Sequence, residues 1–195
     1  SNDLDKARST LRQFYRDWSQ EGASERAASY DPVINDLRTE RLALNGASLN
    51  VLVPGAGLAR LVFELCKDGF NVEGNEISYH QLLASSYILN HCPGPKTHTI
   101  YPWIHNFSNH TNRATHLQSI QVPDVHPGTE LRRGRLLPER DEKEDAATAA
   151  PQPGEMTMSA SDFLSLYEDE DHKETYSAVA TVFFLDTAPN PIRYV

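Results

Sequence analysis

The sequence predicts an α/β fold built on a parallel sheet, and three observations carry that expectation. Residues 50–92 alternate short apolar β-type runs with helical patterns in the order β-α-β-α, the order of strands joined by helical crossovers. The first run leads into Gly55-Ala56-Gly57, a turn of strand into helix. Two later β-type runs, at 156–160 and 177–185, are each followed within two residues by an acid. With 39% hydrophobic residues the chain can bury a core, which excludes wholesale disorder. Its 195 residues suit one domain with appendages.

The N-terminal segment is helical by periodicity. Leu4, Ala7, Leu11, Phe14 and Trp18 step by three and four, which makes one apolar stripe, and Gly22 marks the stop. Gln13 and Arg16 lie one turn apart on the opposite face, which by periodicity alone is solvated. A second helix is expected over about 24–44, capped by Ser24, burying Tyr30, Ile34 and Leu37 and bent or delayed by Pro32. Residues 1–46 therefore read as a helical extension to an α/β domain over 47–195.

In that domain 50–54 is the first strand, 58–68 the helix closed by Gly69, and 70–75 the second strand, followed by Glu76. Ser78 and Gln81 have capping-box spacing and open a helix that carries Leu82, Leu83 and Tyr87; it must stop before Pro93-Gly94. Residues 98–128 are aromatic and broken by proline, which predicts a packed irregular segment. Residues 129–155 carry no aromatics and mixed charge, which predicts a disordered insert. A strand at 156–160 and a short helix from Asp162-Phe163 to about Tyr167 follow. A solvated acidic connector spans 168–174. The apolar run at 177–185 reads as a central buried strand.

Composition excludes several functions. A formal charge of −9 argues against a general nucleic-acid or anionic-membrane binder. Cys66 and Cys92 form no disulfide framework, which fits a reducing, cytoplasmic compartment, with the nucleus also open. Eight histidines, five of them between His98 and His126, match no metal-ligand spacing, so no metal site is expected. The chemistry concentrates where strands end. The Gly55–Gly57 loop leaves helix N–H groups free, and Glu76 lies 21 residues beyond Gly55, where nucleotide-binding α/β folds carry the acid that bonds ribose hydroxyls. Arg60 occupies the place of the third glycine of the nicotinamide fingerprint. That favours a cofactor without phosphates, S-adenosylmethionine (SAM). Asp162-Phe163 suits an adenine: a carboxylate for the exocyclic amine and a ring for the base, although Asp162 also suits a helix cap. Asp186, after the last apolar run, completes the set.

Seven runs carry a closer resemblance: QFYRDWSQEG at 13–22, LVPGAGLARL at 52–61, GNEISY at 74–79, LNHC at 89–92, YPWIHNFSN at 101–109, PDVHP from 123 and ATVFFLDTAPN at 180–190. Together they resemble the carnosine N-methyltransferase family. The resemblance implies a Rossmann-like class I SAM-dependent methyltransferase fold. The implied activity is methylation of an imidazole nitrogen of carnosine or related histidine-containing dipeptides. It implies that Gln13 and Arg16 contact SAM, that Gly55 and Gly57 line its methionine portion, that Glu76 takes the ribose, that Asp162 and Phe163 take the adenine, and that Val182 lines the cofactor. Asp186 is the candidate to fix the tautomer of the attacked imidazole. His105 and Asn190 are candidate substrate contacts, and Tyr101, Trp103 and Phe107 read either as π walls or as packing. The expected partner is a small histidine-containing peptide, with a homodimer open and no nucleic acid or membrane.

Two departures stand out: the family's GAGLGR reads with Ala59, and its DTAHN with Pro189. The family sheet has seven strands, whereas four are visible here, and its dipeptide-binding parts follow Asn190. A C-terminally truncated chain is therefore expected, with a long apolar edge at 177–185 that promotes aggregation. Two readings stay beside the first: a SAM methyltransferase of the same fold acting on another substrate, such as protein histidine, and an inactive SAM-binding fragment.

Overall fold

A computed structural model describes residues 2–108, 110–136 and 151–194. Four parallel strands make the sheet: β1 (Asn50–Pro54), β2 (Asn71–Asn75), β5 (Met156–Ser159) and β6 (Ala178–Val179), in the spatial order β5-β2-β1-β6. Val51 pairs with Val72 on one side and Ala178 on the other, and Gly74 pairs with Met158. From β1 the chain builds outward to β2 and β5, then returns to place β6 on β1's other side. The order reverses between β1 and β6, which is where open parallel sheets leave a crevice outside their carboxyl ends. This is the architecture of a Rossmann-like methyltransferase fold.

The core follows from β1. Val51, Leu52 and Val53 are buried on both faces, the burial pattern of an interior parallel strand. Helix α3 (Arg60–Lys67) covers it with Leu61, Val62, Leu65 and Cys66, and helix α2 (Ala23–Ala43) adds Tyr30, Ile34 and Leu37. A second cluster joins Trp18, Leu58, Phe63, Ile88, Cys92, Ile120 and Val122. On β2, Glu73 accepts hydrogen bonds from the Tyr167 hydroxyl at 2.6 Å and the Tyr176 hydroxyl at 2.8 Å. Burial, with the Glu73 bond next, pushes the Tyr176 phenol up to about 12.

Helix α1 (Asn2–Trp18) is buried mainly at its C-terminal end: Asp17 and Trp18 are buried there, whereas Leu4 and Leu11 are exposed. That end is held by a complete set of donors. The Ser19 hydroxyl donates to the Tyr15 carbonyl, Arg26 to Arg16, Arg60 to Asp17, and the Asp124 N–H to Trp18. The four carbonyls that a helix end leaves without intrahelical partners are thus all satisfied. Helix α2 starts after Gly22 rather than at Ser24, because the chain must turn tightly against α1; a Cβ at Gly22 would run into the Tyr15 carbonyl oxygen. Gly22→Ala is expected to lower unfolding free energy by about 3 kcal/mol, read by urea denaturation. A change within experimental error would show that the junction yields. Helix α2 runs through Pro32 without a break.

Several expectations are corrected. Ser78 makes no side-chain cap bond at helix α4 (Tyr79–Ser86); the Glu76 carboxylate takes the Ile77 and Ser78 N–H groups instead. After α4 the chain widens into a π-helical turn (Tyr87–His91), and Ser85 and Ile88 face inward while Leu83 and Tyr87 are exposed. The 98–128 segment holds a short antiparallel pair, β3 (His98–Ile100) with β4 (Ile120–Val122), and a helical turn α5 (Arg113–His116) with an Asn112/Thr115 capping box. Residues 129–135, expected inside a disordered insert, belong to helix α6 (Pro127–Arg135), started by proline and closed by basic residues that suit its C-terminal dipole. Residues 151–155 are also ordered on the core, with the Gly154 N–H on the Cys66 carbonyl. The rest of that expected insert, 137–150, lies outside the described residues. Finally, β6 is a two-residue edge strand rather than a central one among the described residues, with Val179 53% exposed. Its apolar neighbours Val182 and Phe184 serve a crevice wall, since Phe183 takes a left-handed backbone (φ +54) and a 3-10 turn (Leu185–Thr187) follows. No helix among the described residues is long and apolar enough to cross a membrane.

Candidate functional site

A cleft of about 360 Å³ opens at the carboxyl ends of the strands. It gathers Gln13 and Arg16 from α1, Gly55 and Gly57 from the loop after β1, Glu76 after β2, Asp162 and Phe163 at helix α7 (Phe163–Tyr167), and Val182 after β6. All eight residues expected to touch a cofactor thus line one space. A second cleft, of about 310 Å³ between α2, α3 and α6, contains none of them and is lined by paired charges such as Arg38 with Asp68.

The loop is shaped by glycine and fixed by Glu76. Gly55 and Gly57 both have left-handed backbones (φ +63 and +59), and a Cβ on Gly55 would come within 2.6 Å of the Phe184 ring. Ala59, the first departure from the family pattern, also sits at φ +60, fully buried, and caps α3 without a side-chain bond. Glu76 is nearly buried. Its Oε2 accepts the Gly57 N–H at 2.9 Å, and its Oε1 accepts those of Ile77 and Ser78 at 2.9 and 2.7 Å. Each carboxylate oxygen offers two lone pairs, so Oε2 keeps one for a hydroxyl in the cleft.

On α1, the face opposite the apolar stripe turns into the cleft rather than into solvent. Arg16 donates through Nε and NH2 to the Asp17 carboxylate at 2.6 and 3.1 Å, and lies over the Phe183 ring at 5.2 Å. Burial, the largest single cause, lowers the Arg16 pKa, but the Asp17 bond and the nearby negative charges together outweigh it and raise it, so Arg16 stays charged. Gln13 Oε1 is buried and has no hydrogen-bond partner among the described residues. On the far wall, Asp162 caps α7, accepting from the Ser165 N–H at 3.0 Å and its hydroxyl at 3.1 Å; those two bonds hold its carboxyl below the usual range. Phe163 meets Phe184 edge-on at 5.3 Å, and Phe184 stacks on Tyr194 at 5.1 Å. Asn75, buried at the end of β2, ties down the wall by donating to the Ser161 carbonyl and the Ser159 hydroxyl.

Three expected residues are not brought to this cleft. Asp186 is exposed in the turn beside cleft-lining Thr187. Asn190 is exposed and accepts from the Ile192 N–H at 3.2 Å. His105 is half-buried in the 98–128 segment, where burial, then the charges of Arg8 and Arg12, lower its pKa and keep it neutral near pH 7. Tyr101 and Phe107 are exposed, and Trp103 packs edge-on against Tyr15 at 5.2 Å. Among the described residues no group of three or more His, Cys, Asp or Glu is arranged to hold a metal ion. Sequence reasoning missed Asn75, Gln81, Phe184 and Tyr194 among the lining residues. Two of them had a signal: Asn75 precedes Glu76 at a strand end, and Gln81 was assigned to a capping box that does not form.

The donor set fits SAM. The cleft offers an unpartnered amide oxygen, a guanidinium edge, a carboxylate lone pair and an aromatic wall, with glycine where the loop must be approached closely. Arg60 is spent elsewhere, bonded to Glu64, Asp124 and the Asp17 carbonyl, so it is not available to a pyrophosphate.

The sequence profile described as Carnosine N-methyltransferase matches residues 1–195. The chain is 36% identical over 194 residues to the carnosine N-methyltransferase of Schizosaccharomyces pombe, covering 98% of this chain and 47% of that protein. It is 36% identical over 195 residues to the Rattus norvegicus carnosine N-methyltransferase, covering 99% of this chain and 43% of the relative. It is also 36% identical over 192 residues to "Carnosine N-methyltransferase unmet" of Drosophila melanogaster, 97% of this chain and 37% of the relative. The chain thus spans less than half the length of these curated relatives. By the match over its whole length, the chain belongs to the carnosine N-methyltransferase family.

Proposed function

We propose that this chain forms the SAM-binding part of an enzyme that methylates an imidazole nitrogen of carnosine or a related histidine-containing dipeptide. One observation carries the reading: the eight residues expected to hold SAM line a single cleft at the switch point of a parallel sheet. Bound SAM supplies an electrophilic methyl group on a sulfonium. The chain's own residues bind and orient: Glu76 Oε2 takes a ribose hydroxyl, Arg16 and Gln13 take the charged amino-acid end, and Phe163 with Asp162 takes the adenine. Methyl transfer needs in-line alignment more than proton transfer, and a rigid glycine loop stapled by Glu76 supports that alignment. Asp186 is the proposed group to hold the imidazole in the tautomer whose free nitrogen attacks, although it is exposed and does not itself line the cleft. Two buried free cysteines suit a reducing, cytoplasmic compartment.

The test is calorimetry with SAM, followed by transfer of labelled methyl from SAM to carnosine. SAM is expected to bind, and Asp162→Ala to weaken it about tenfold, the loss of one charge-assisted bond. A folded chain that binds no SAM would sink the reading. Labelling of histidine-containing proteins but not of carnosine would redirect the substrate assignment.

A further inference from the structure

A buried carboxylate and a buried phenol lie behind Arg16, and neither lines the cleft. Asp17 has 1% of its side chain exposed, and it grips Arg16 through Nε and NH2. The Tyr30 hydroxyl donates to the same Asp17 oxygen that holds Arg16 Nε, at 3.0 Å. Burying this pair is a poor route to stability, because apolar side chains of similar volume commonly do as well. What the arrangement does achieve is a fixed guanidinium. Arginine has five N–H groups, and Asp17 uses two, on one edge. The other three have no hydrogen-bond partner among the described residues, and the side chain lines the cleft.

We infer that Asp17 and Tyr30 are positioning residues that lock the Arg16 guanidinium by one edge so that its free edge presents to a carboxylate of the bound ligand. This rests on the SAM reading and deepens it, since it identifies the amino-acid carboxylate as the group the device serves. A carboxylate suits the site better than a phosphate. Glu76 and Asp162 already make the cleft acidic, which disfavours a dianion, and the unpartnered Gln13 Oε1 beside Arg16 is an acceptor for an ammonium. An ammonium next to a carboxylate is the end of an amino acid.

Two ligands that differ in that end make the test: S-adenosylhomocysteine, which has the amino-acid carboxylate, and 5′-methylthioadenosine, which lacks it. Calorimetry on the full chain and on Tyr30→Phe and Asp17→Asn is the measurement. In each variant S-adenosylhomocysteine is expected to bind about tenfold or more weakly, the loss of a charge-assisted contact, while 5′-methylthioadenosine changes by less than about twofold. Retained binding of the second ligand also reports that the variant is folded. Parallel weakening of both ligands would overturn the inference in favour of a purely structural pair, as would no change in either. Equal affinity of the unmodified chain for the two ligands would overturn it as well, since no carboxylate contact would then exist. Failure of the unmodified chain to bind either ligand would instead overturn the SAM reading and this inference with it.

Discussion

Asp124→Ala is expected to cost about 3–5 kcal/mol of stability, the range for removing one partner of a buried ion pair. Asp124 holds two cations: its Oδ1 lies 2.6 Å from Arg60 and its Oδ2 2.8 Å from Arg26, with each of the three side chains under 10% exposed. Without the carboxylate, two guanidiniums are left close together in a site that water reaches poorly. Burial, and then the nearby Arg60 charge, already lower the Arg26 pKa with Asp124 present. The same two arginines donate to the carbonyls of Arg16, Asp17 and Ser19, so the loss extends to the end of α1 and to the cleft. A domain of this size has only about 5–15 kcal/mol in hand, so the variant is expected to be partly unfolded at moderate temperature. Arg38→Ala is the contrast. Its bidentate pair with Asp68 is half-exposed, and its loss is expected to cost no more than about 1 kcal/mol. Urea denaturation of both variants compares them; equal costs would mean that the Asp124 site is solvated and the buried-pair account is wrong.

The second large effect is expected at Glu76. Its carboxylate accepts three backbone N–H groups, those of Gly57, Ile77 and Ser78, and so fixes the glycine loop to the end of β2 before any ligand arrives. Glu76→Ala strands those donors and removes the lone pair proposed for a ribose hydroxyl. Hydrogen bonds to a charged group contribute about 1.5–3 kcal/mol each, so SAM affinity is expected to fall about a hundredfold. The unliganded chain is expected to lose about 2 kcal/mol of stability. Glu76→Gln keeps an acceptor oxygen for one set of N–H groups but not for both, and should fall between. Calorimetry and denaturation on the same samples read the two effects. SAM affinity preserved within about twofold in Glu76→Ala would remove Glu76 from the binding site.

What could be read in advance followed from local pattern. Strand β1, its glycine turn and the boundaries of β2 were legible because a short apolar run, two glycines and an acid at a set interval leave few alternatives. Gln13 and Arg16 were legible only in part: periodicity placed them opposite the apolar stripe, and the family resemblance, not their spacing, pointed to a cofactor. The Arg26–Asp124–Arg60 cluster was not legible. Asp124 lies 98 positions from Arg26 and 64 from Arg60, and nothing local distinguishes a charge that will be buried from one that will be solvated. Strands β3 and β4 are three residues each, too short for any period to register. The run at 177–185 misled because hydrophobicity reports burial and not position in a sheet. Part of it lines the cleft, and only Ala178 and Val179 form the strand. Helix α6 was missed because its composition is polar, yet Pro127 at its start and three arginines in its last turn are the features of a helix with sound ends.

The donors on the last turn of α1 come from α2, α3 and the loop at Asp124. That bonding makes the helix impossible to excise cleanly. Cutting the chain back to β1 would remove one acceptor of Arg60, the Asp17 carbonyl, and the acceptor of the Asp124 amide, and with them the Trp18 ring over which Arg60 lies at 4.8 Å. Shortening it to α2 would leave Arg26 in the same position. The two helices ahead of the sheet therefore do not behave as an autonomous module that evolution or an engineer can exchange. Any grafting of this cleft onto another scaffold must carry residues 13–26 along with the glycine loop.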